Sequence, residues 1–169
     1  MTFKLEEQHR MVQDMVRQWC EKVLLPKVPA LEAGAEAPWE LMRQFTRTFA
    51  LDQMAAGGLK KRVARLRAAA AAGEAEAPQE ELVESVGGDP LMMFVVIKEL
   101  ARVSPGFAMG WGVSLGLAGG AIVAKGTADQ IERWGLPVVT MEKIASWCLT
   151  EPGAGSDAFG SMTYFRVCS

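Results

Sequence analysis

Residues 145–157, ASWCLTEPGAGSD, decide how this chain is read. Ala145-Ser146-Trp147-Cys148-Leu149-Thr150 is short and alternating, the pattern of a strand. It runs into Glu151-Pro152-Gly153-Ala154-Gly155-Ser156-Asp157, whose proline, glycines and serine spell a loop. A strand followed by a glycine-rich turn is a physical device for holding phosphate. Glycines remove side-chain bulk, so several backbone N–H groups can converge on one anion. Ser156 adds a hydroxyl donor, and no lysine is needed. An ordinary turn after a strand has the same composition, so the residues alone leave both readings open.

Upstream of this stretch nearly everything reads as helix. Val12, Met15, Val16, Trp19, Cys20, Val23 and Leu24 follow the i, i+3, i+4, i+7 pattern, and Pro26 and Pro29 are expected to end that helix. A second helix opens at Pro38, buries Leu41, Met42, Phe45 and Phe49, and stops near Gly57-Gly58. Residues 59–77 carry Lys60, Lys61, Arg62, Arg65 and Arg67 ahead of an alanine run, a strong helix former. Without interleaved aromatics the basic residues read as a solvated face rather than a site for an acidic partner. A short helix follows from Pro78 to Gly87-Gly88. Residues 91–103, LMMFVVIKELARV, read as a buried helix ended by Ser104-Pro105-Gly106. Thr127-Ala128-Asp129-Gln130 is a capping box that starts a helix over Ile131–Trp134, closed by Gly135-Leu136-Pro137. The switch from helix to strand puts a domain boundary near residue 143. Residues 1–143 form a helical domain, and residues 144–169 open a β-domain.

Composition narrows the function classes. Half of the 169 residues are hydrophobic, and the net charge is −2, so neither nucleic acid nor an anionic membrane is indicated. Cys20, Cys148 and Cys168 are too widely spaced for a zinc site or a disulfide scaffold, which points to a reducing cytoplasm and no metal. MTFKLEEQHR at the N-terminus lacks an apolar signal core. His9, among polar neighbours, reads as a surface residue, and Cys148 as a small core residue. Residues 106–124, GFAMGWGVSLGLAGGAIVA, form an uncharged stretch long enough to span a bilayer. Gly112, Gly116 and Gly120 share one face, a surface that permits close helix approach in or out of membranes. Six glycines lower its hydrophobicity, so the expectation is a buried helix of a bundle and no membrane span.

Gly153-x-Gly155-x-x-Ala158 also fits the dinucleotide-binding pattern G-x-G-x-x-A. That motif needs a following helix and an acidic residue about 20 positions on. Neither is available, and the helical lead-in contradicts a βαβ unit. Both readings nonetheless agree on a phosphate-bearing nucleotide.

Trp147 to Asp157 in register resembles the flavin-binding signature of the acyl-CoA dehydrogenase family. Glu99-Leu100-Ala101-Arg102 with Ser104-Pro105 is similar to the helix preceding that family's apolar, glycine-rich helix. Gly126-Thr127 through Gln130, with Trp134 and Leu136-Pro137, is similar to the helix that leads into its flavin strand. Phe3, Leu5, Glu6, Glu7 and Gln8 resemble its opening. The resemblance is close over residues 91–163 and loose over 1–45. It implies a mostly α fold: the family's N-terminal helical bundle, then the first strand and glycine-rich loop of its middle β-domain. It also implies oxidation of the Cα–Cβ bond of an acyl-CoA thioester, in fatty-acid or related catabolism. FAD is the implied cofactor, with an electron-transfer flavoprotein as acceptor and a homo-oligomeric full-length protein.

Carried over, Trp147, Cys148, Leu149 and Thr150 line the flavin ring, with Thr150 near its reactive edge. Gly153, Ala154, Gly155 and Ser156 form the pyrophosphate loop, and Ser156 borders the thioester substrate. Flavin chemistry removes hydride while a carboxylate removes the α-proton, and the protein orients the cofactor. The family's base is a glutamate of its C-terminal domain, so no catalytic residue is expected within 1–169. Glu151 and Asp157 read as structural.

Two departures stand against the resemblance. Residues 46–86, with their alanine-rich stretch, read as an inserted helical hairpin or lid. Tyr164 to Ser169 does not continue the family's β-domain, so a fragment is expected, one that holds FAD weakly or not at all because one strand and one loop leave the ring without walls. The alternative reading is a non-catalytic helical module that oligomerises through exposed apolar or glycine-rich helix faces.

Overall fold

A computed structural model describes residues 5–73 and 89–157. The short helix expected from Pro78 to Gly88, the Ala158 position of the glycine pattern, Cys168 and the segment after Thr163 lie outside the described residues. What is described is a helical bundle with a non-helical tail.

The first helix, α1 (Glu7–Trp19), buries Val16 and Trp19 as its periodicity predicts. Pro26 and Pro29 do not end the helical path. A π turn over Cys20–Leu24 and a 3-10 turn over Leu25–Lys27 carry it into α2 (Val28–Glu32). The same device recurs at Pro137. A π turn over Ile131–Gly135 links α8 (Ala128–Gln130) to α9 (Leu136–Val139), past the expected stop at Gly135. In both places the residue before the proline donates its N–H five residues back, Leu25 to Cys20 and Leu136 to Ile131. A widened turn makes room for a ring that would clash in a regular α-helix. The prolines were expected to end the helices, and the chain absorbs them instead.

Helix α3 (Trp39–Thr48) buries Leu41, Met42, Phe45 and Thr46. It does not run on to Gly57-Gly58. The path breaks at Ala50, which adopts a left-handed φ of 53°, and α4 (Leu51–Ala71) then passes straight through both glycines. Its first two-thirds are packed. Ala55, Leu59 and Val63 join Val123, Ile131 and Val139 in a small second core. Arg67 ties its far end to Asp129 at 2.9 Å and Glu132 at 2.7 Å. Arg62 is buried as well, so the basic run is only in part a solvated face.

Helix α5 (Pro90–Val103) is capped by the Asp89 side chain, and Ser104 caps α6 (Pro105–Gly112). A π turn (Val113–Gly119) continues α6 into α7 (Gly120–Lys125). This helical run is long and apolar enough to cross a membrane by length and composition. Within the bundle it buries Phe107, Ala108, Trp111, Ser114, Ala118 and Val123. The Gly112, Gly116 and Gly120 stripe faces open space. The glycines that permit close packing are others. A Cβ on Gly119 would lie 3.0 Å from Val139, and one on Gly126 would lie 2.4 Å from the Ile122 carbonyl oxygen.

The main core joins α1, α3, α5 and α6. Phe45 sits at its centre, edge-on to Trp19 at 4.9 Å and to Trp111 at 5.4 Å between ring centroids. Such pairs add to the burial that aromatic rings already contribute. The Trp111 indole N–H donates to Thr46 Oγ1 at 3.0 Å, and that hydroxyl donates to the Met42 carbonyl at 2.9 Å. A buried indole with a partner carries no desolvation penalty.

An ionic seam runs between α1 and α5. Glu99, with no exposed surface, accepts two bonds from Arg17, at 2.9 and 3.1 Å, one from Gln13 at 2.7 Å and one from Arg102 at 3.0 Å. Arg102 reaches on to Glu21. The Arg17 guanidinium, with the other donors, overcomes desolvation and holds the Glu99 carboxyl down at about 2. His9 is not a surface residue. Only 3% exposed, it accepts the Glu6 N–H on Nδ1 and faces Asp89 through Nε2. That contact holds the Asp89 carboxyl below its ordinary value and joins the start of α1 to the cap of α5.

The expected first strand of a β-domain is absent. Residues 144–150 form neither helix nor strand, and the described residues contain one isolated bridge, Glu151 to Ala154. The physical reason is that a strand exists only through bonds to a neighbour. The alternation at 145–150 fits a strand, yet no described segment lies alongside to pair with it.

Candidate functional site

The expected flavin-binding segment leaves the bundle at a fixed point. After α9, Thr140 donates its hydroxyl to the Leu136 carbonyl at 2.9 Å. Met141 then turns the chain with a φ of 59° while fully buried, a conformation that costs energy for a residue with a Cβ. Two helices hold this exit. From α3, Arg43 donates to the carbonyls of Met141 at 3.0 Å and Glu142 at 3.4 Å. From the π turn after α6, the buried Ser114 hydroxyl oxygen accepts the Ala145 N–H at 3.0 Å. Between them Ile144 packs against the main core.

Beyond Ala145 the chain is open. Trp147 is 45% exposed and Leu149 44%. Ser146, Cys148 and Thr150 are exposed as well. Cys148 is exposed, contrary to the core role expected of it, and its Sγ lies 3.5 Å from Ser146 Oγ. Cys20 is the buried thiol, and burial pushes it up to about 11, so it stays protonated and inert.

The loop closes as a tight turn with Pro152 and Gly153 at its centre. The Glu151 N–H donates to the Ala154 carbonyl at 2.8 Å, and the Ala154 N–H to the Glu151 carbonyl at 3.2 Å. The Ala154 amide is therefore engaged within the turn. Of the phosphate-loop residues, Gly153, Gly155 and Ser156 are exposed. Neither glycine is held by strain: Gly153 has open space where a Cβ would stand, and Gly155 would meet only Thr150 Cγ2, at 3.8 Å. Their use is an uncovered backbone, the property a phosphate cradle needs. Among the described residues the structure thus brings Thr150 beside Gly155 and leaves Trp147 and Leu149 exposed. Among those residues no cluster of His, Cys, Asp and Glu could hold a metal ion.

Sequence reasoning missed Arg43, Ser114 and Met141. The one available signal was Ser114, a hydroxyl inside an otherwise apolar, glycine-rich run, where a polar group needs a buried partner.

The sequence profile of the acyl-CoA dehydrogenase N-terminal domain matches residues 43–142. The chain belongs to the acyl-CoA dehydrogenase family. That match runs through α4 and stops where the exit turn begins. Among its relatives, the caffeyl-CoA reductase-Etf complex subunit CarC of Acetobacterium woodii is 31% identical over 93% of this chain and 35% of its own length. A short-chain specific acyl-CoA dehydrogenase of Megasphaera elsdenii is 36% identical over 46% of this chain and 20% of its own. The mitochondrial isobutyryl-CoA dehydrogenase of Bos taurus is 58% identical over 22% of this chain and 9% of its own. The chain spans between about a fifth and about a third of the length of the curated relatives that match nearly all of it. No solved structure matches it.

Proposed function

We propose that this chain serves flavin-dependent oxidation or reduction across the Cα–Cβ bond of an acyl-CoA thioester, contributing the helical platform and one side of the FAD site. The observation that carries the reading is the open, anchored segment at 145–156. Two apolar side chains suited to a flat ring stand beside a turn whose glycine backbone and serine hydroxyl are uncovered. Trp147, Leu149 and Thr150 would border the flavin ring. Gly153, Gly155 and Ser156 would hold its diphosphate, and Ser156 would also border the thioester. The flavin supplies hydride chemistry when bound, and these residues orient it.

An electron-transfer flavoprotein as redox partner is supported by the Etf complex named for the Acetobacterium woodii relative. Names among the relatives include both reductases and dehydrogenases, so the direction of flux is left to the partner. A cytoplasmic setting follows from the cysteine usage, and a homo-oligomer from the family.

Titration of the chain with FAD, followed by flavin fluorescence, tests the reading. The expected result is saturable binding weaker than that of an enclosed pocket, lost in Gly155→Val, which covers the backbone. Binding indifferent to that change, or none at any accessible concentration, removes the basis of the assignment.

A specific observation also favours association with a second copy of the chain. Phe94 on α5 and Met109 on α6 are 62% and 67% exposed, apolar surface that such an association would cover. Sedimentation that stays monomeric across a wide concentration range rules this out.

A further inference from the structure

We propose that Ser114 and Arg43 are positioning residues for the nucleotide-binding segment, setting where it leaves the bundle. The part of this inference that concerns flavin rests on the function proposed above. The anchoring itself does not.

Three observations converge on the exit. The first is Met141, buried and left-handed, which reverses the chain directly before the segment. A β-carbon in that region of φ/ψ space is held only where the surroundings enforce it. The second is Arg43, whose planar guanidinium donates to two successive carbonyls, those of Met141 and Glu142. Its other contact, with Glu40 one turn earlier on α3, fixes the side chain that makes the fork. The third is Ser114, buried without exposure, whose oxygen accepts the amide of Ala145.

The arrangement matters because Ser146 to Thr150 are all exposed, so the contacts at the root are what set where these residues begin. Pinning the Ala145 amide fixes the point from which Trp147 and Leu149 are presented. Ser114 can reach the amide because a π turn occupies Val113–Gly119. An extra residue in a helical turn re-aims the side chains around it, which is the common use of such turns. Arg43 acts from the opposite side of the exit, from α3. The segment is thereby gripped between two helices at its root and left open at its working end.

The experiment is amide hydrogen exchange, read by residue, on the full chain and on Ser114→Ala, Arg43→Gln and Arg43→Lys. In Ser114→Ala the Ala145 amide should exchange roughly fivefold to tenfold faster, with faster exchange spreading through 146–150. Protection in α1, α5 and α6 should be unchanged. Arg43→Gln should loosen residues 141–145, and Arg43→Lys, which keeps a charged donor, should restore part of that protection. Unchanged exchange at 141–150 in both Ser114→Ala and Arg43→Gln overturns the proposal. So does a uniform rise across all helices, which would show a purely structural role.

A second arm measures FAD binding in the same variants. Weaker binding, with an altered visible flavin spectrum and intact helical protection, extends the positioning role to the cofactor. If the wild-type chain shows no flavin binding, the functional reading fails while the exchange data still decide the anchoring. If binding occurs and does not change in variants whose segment has loosened, positioning toward flavin is overturned.

Discussion

Trp111 and Trp147 stand in similar apolar surroundings in the sequence, yet one is fully enclosed and the other 45% exposed. The first belongs to a bundle whose helices satisfy their own backbone and need a neighbour only to cover one face. The second lies in a non-helical segment, which satisfies neither its backbone nor its side chains without a partner. The bundle therefore completes itself from described residues, while the segment is anchored at one end and waits for contacts along its length. The same difference divides stability: the bundle holds itself together, and the exposed segment adds little to it.

The sharpest way to break that division is to truncate the two tryptophans. Trp111→Ala removes the ring packed on Phe45 and the N–H that the Thr46 hydroxyl accepts. It should cost about 3–5 kcal/mol in denaturant unfolding. A loss under about 1 kcal/mol would mean that the bundle does not depend on its aromatic centre.

Next in size is the ionic seam. Glu99→Gln should cost about 2–3 kcal/mol, because the charge that three side chains converge on is removed while its burial remains. The pH dependence follows from the same group. Its folded value, about 2, lies below the ordinary 4.5. Its contribution is thus complete above pH 4.5 and is lost as pH falls toward 2. Thermal melts between those limits should show a steep acid limb in the wild type and a flatter one in Glu99→Gln.

Smaller effects separate the glycines. Gly116→Ala, in open space, should stabilise by about 0.5–1 kcal/mol through helix propensity. Gly126→Ala should destabilise by about 1–3 kcal/mol, because its Cβ would press on the Ile122 carbonyl. Equal effects at the two positions would show that the outward stripe is packed after all. The smallest change is expected in the segment. Trp147→Ala and Leu149→Ala should leave unfolding within about 0.5 kcal/mol of wild type. A larger loss would place the segment in the core and erase the contrast.

Particular residues show how far the sequence reached. The cap at Thr127 and the apolar faces of α1, α3 and α5 are local features, written in neighbouring residues. The family was legible in the run from Trp147 to Asp157, because eleven residues in register resemble its flavin-binding signature. The helix ends at Pro26, at Gly57-Gly58 and at Pro137 were misplaced. Propensity registers the disturbance at such residues, but packing decides whether the chain stops or bends through it. The strand at 145–150 was misjudged for a related reason, since alternation describes a surface and not the neighbour that would cover it.

What the amino-acid order determined alone is the helical character of most of residues 5–73 and 89–143, the Thr127 cap, and the glycine-rich loop, since each depends on interactions within a few residues. Tertiary structure alone decided that His9 meets Asp89, that Glu99 gathers Arg17 and Arg102, and that Arg43 and Ser114 hold the exit of the segment. Those pairs join residues far apart in the chain, and nothing local to either partner specifies the other.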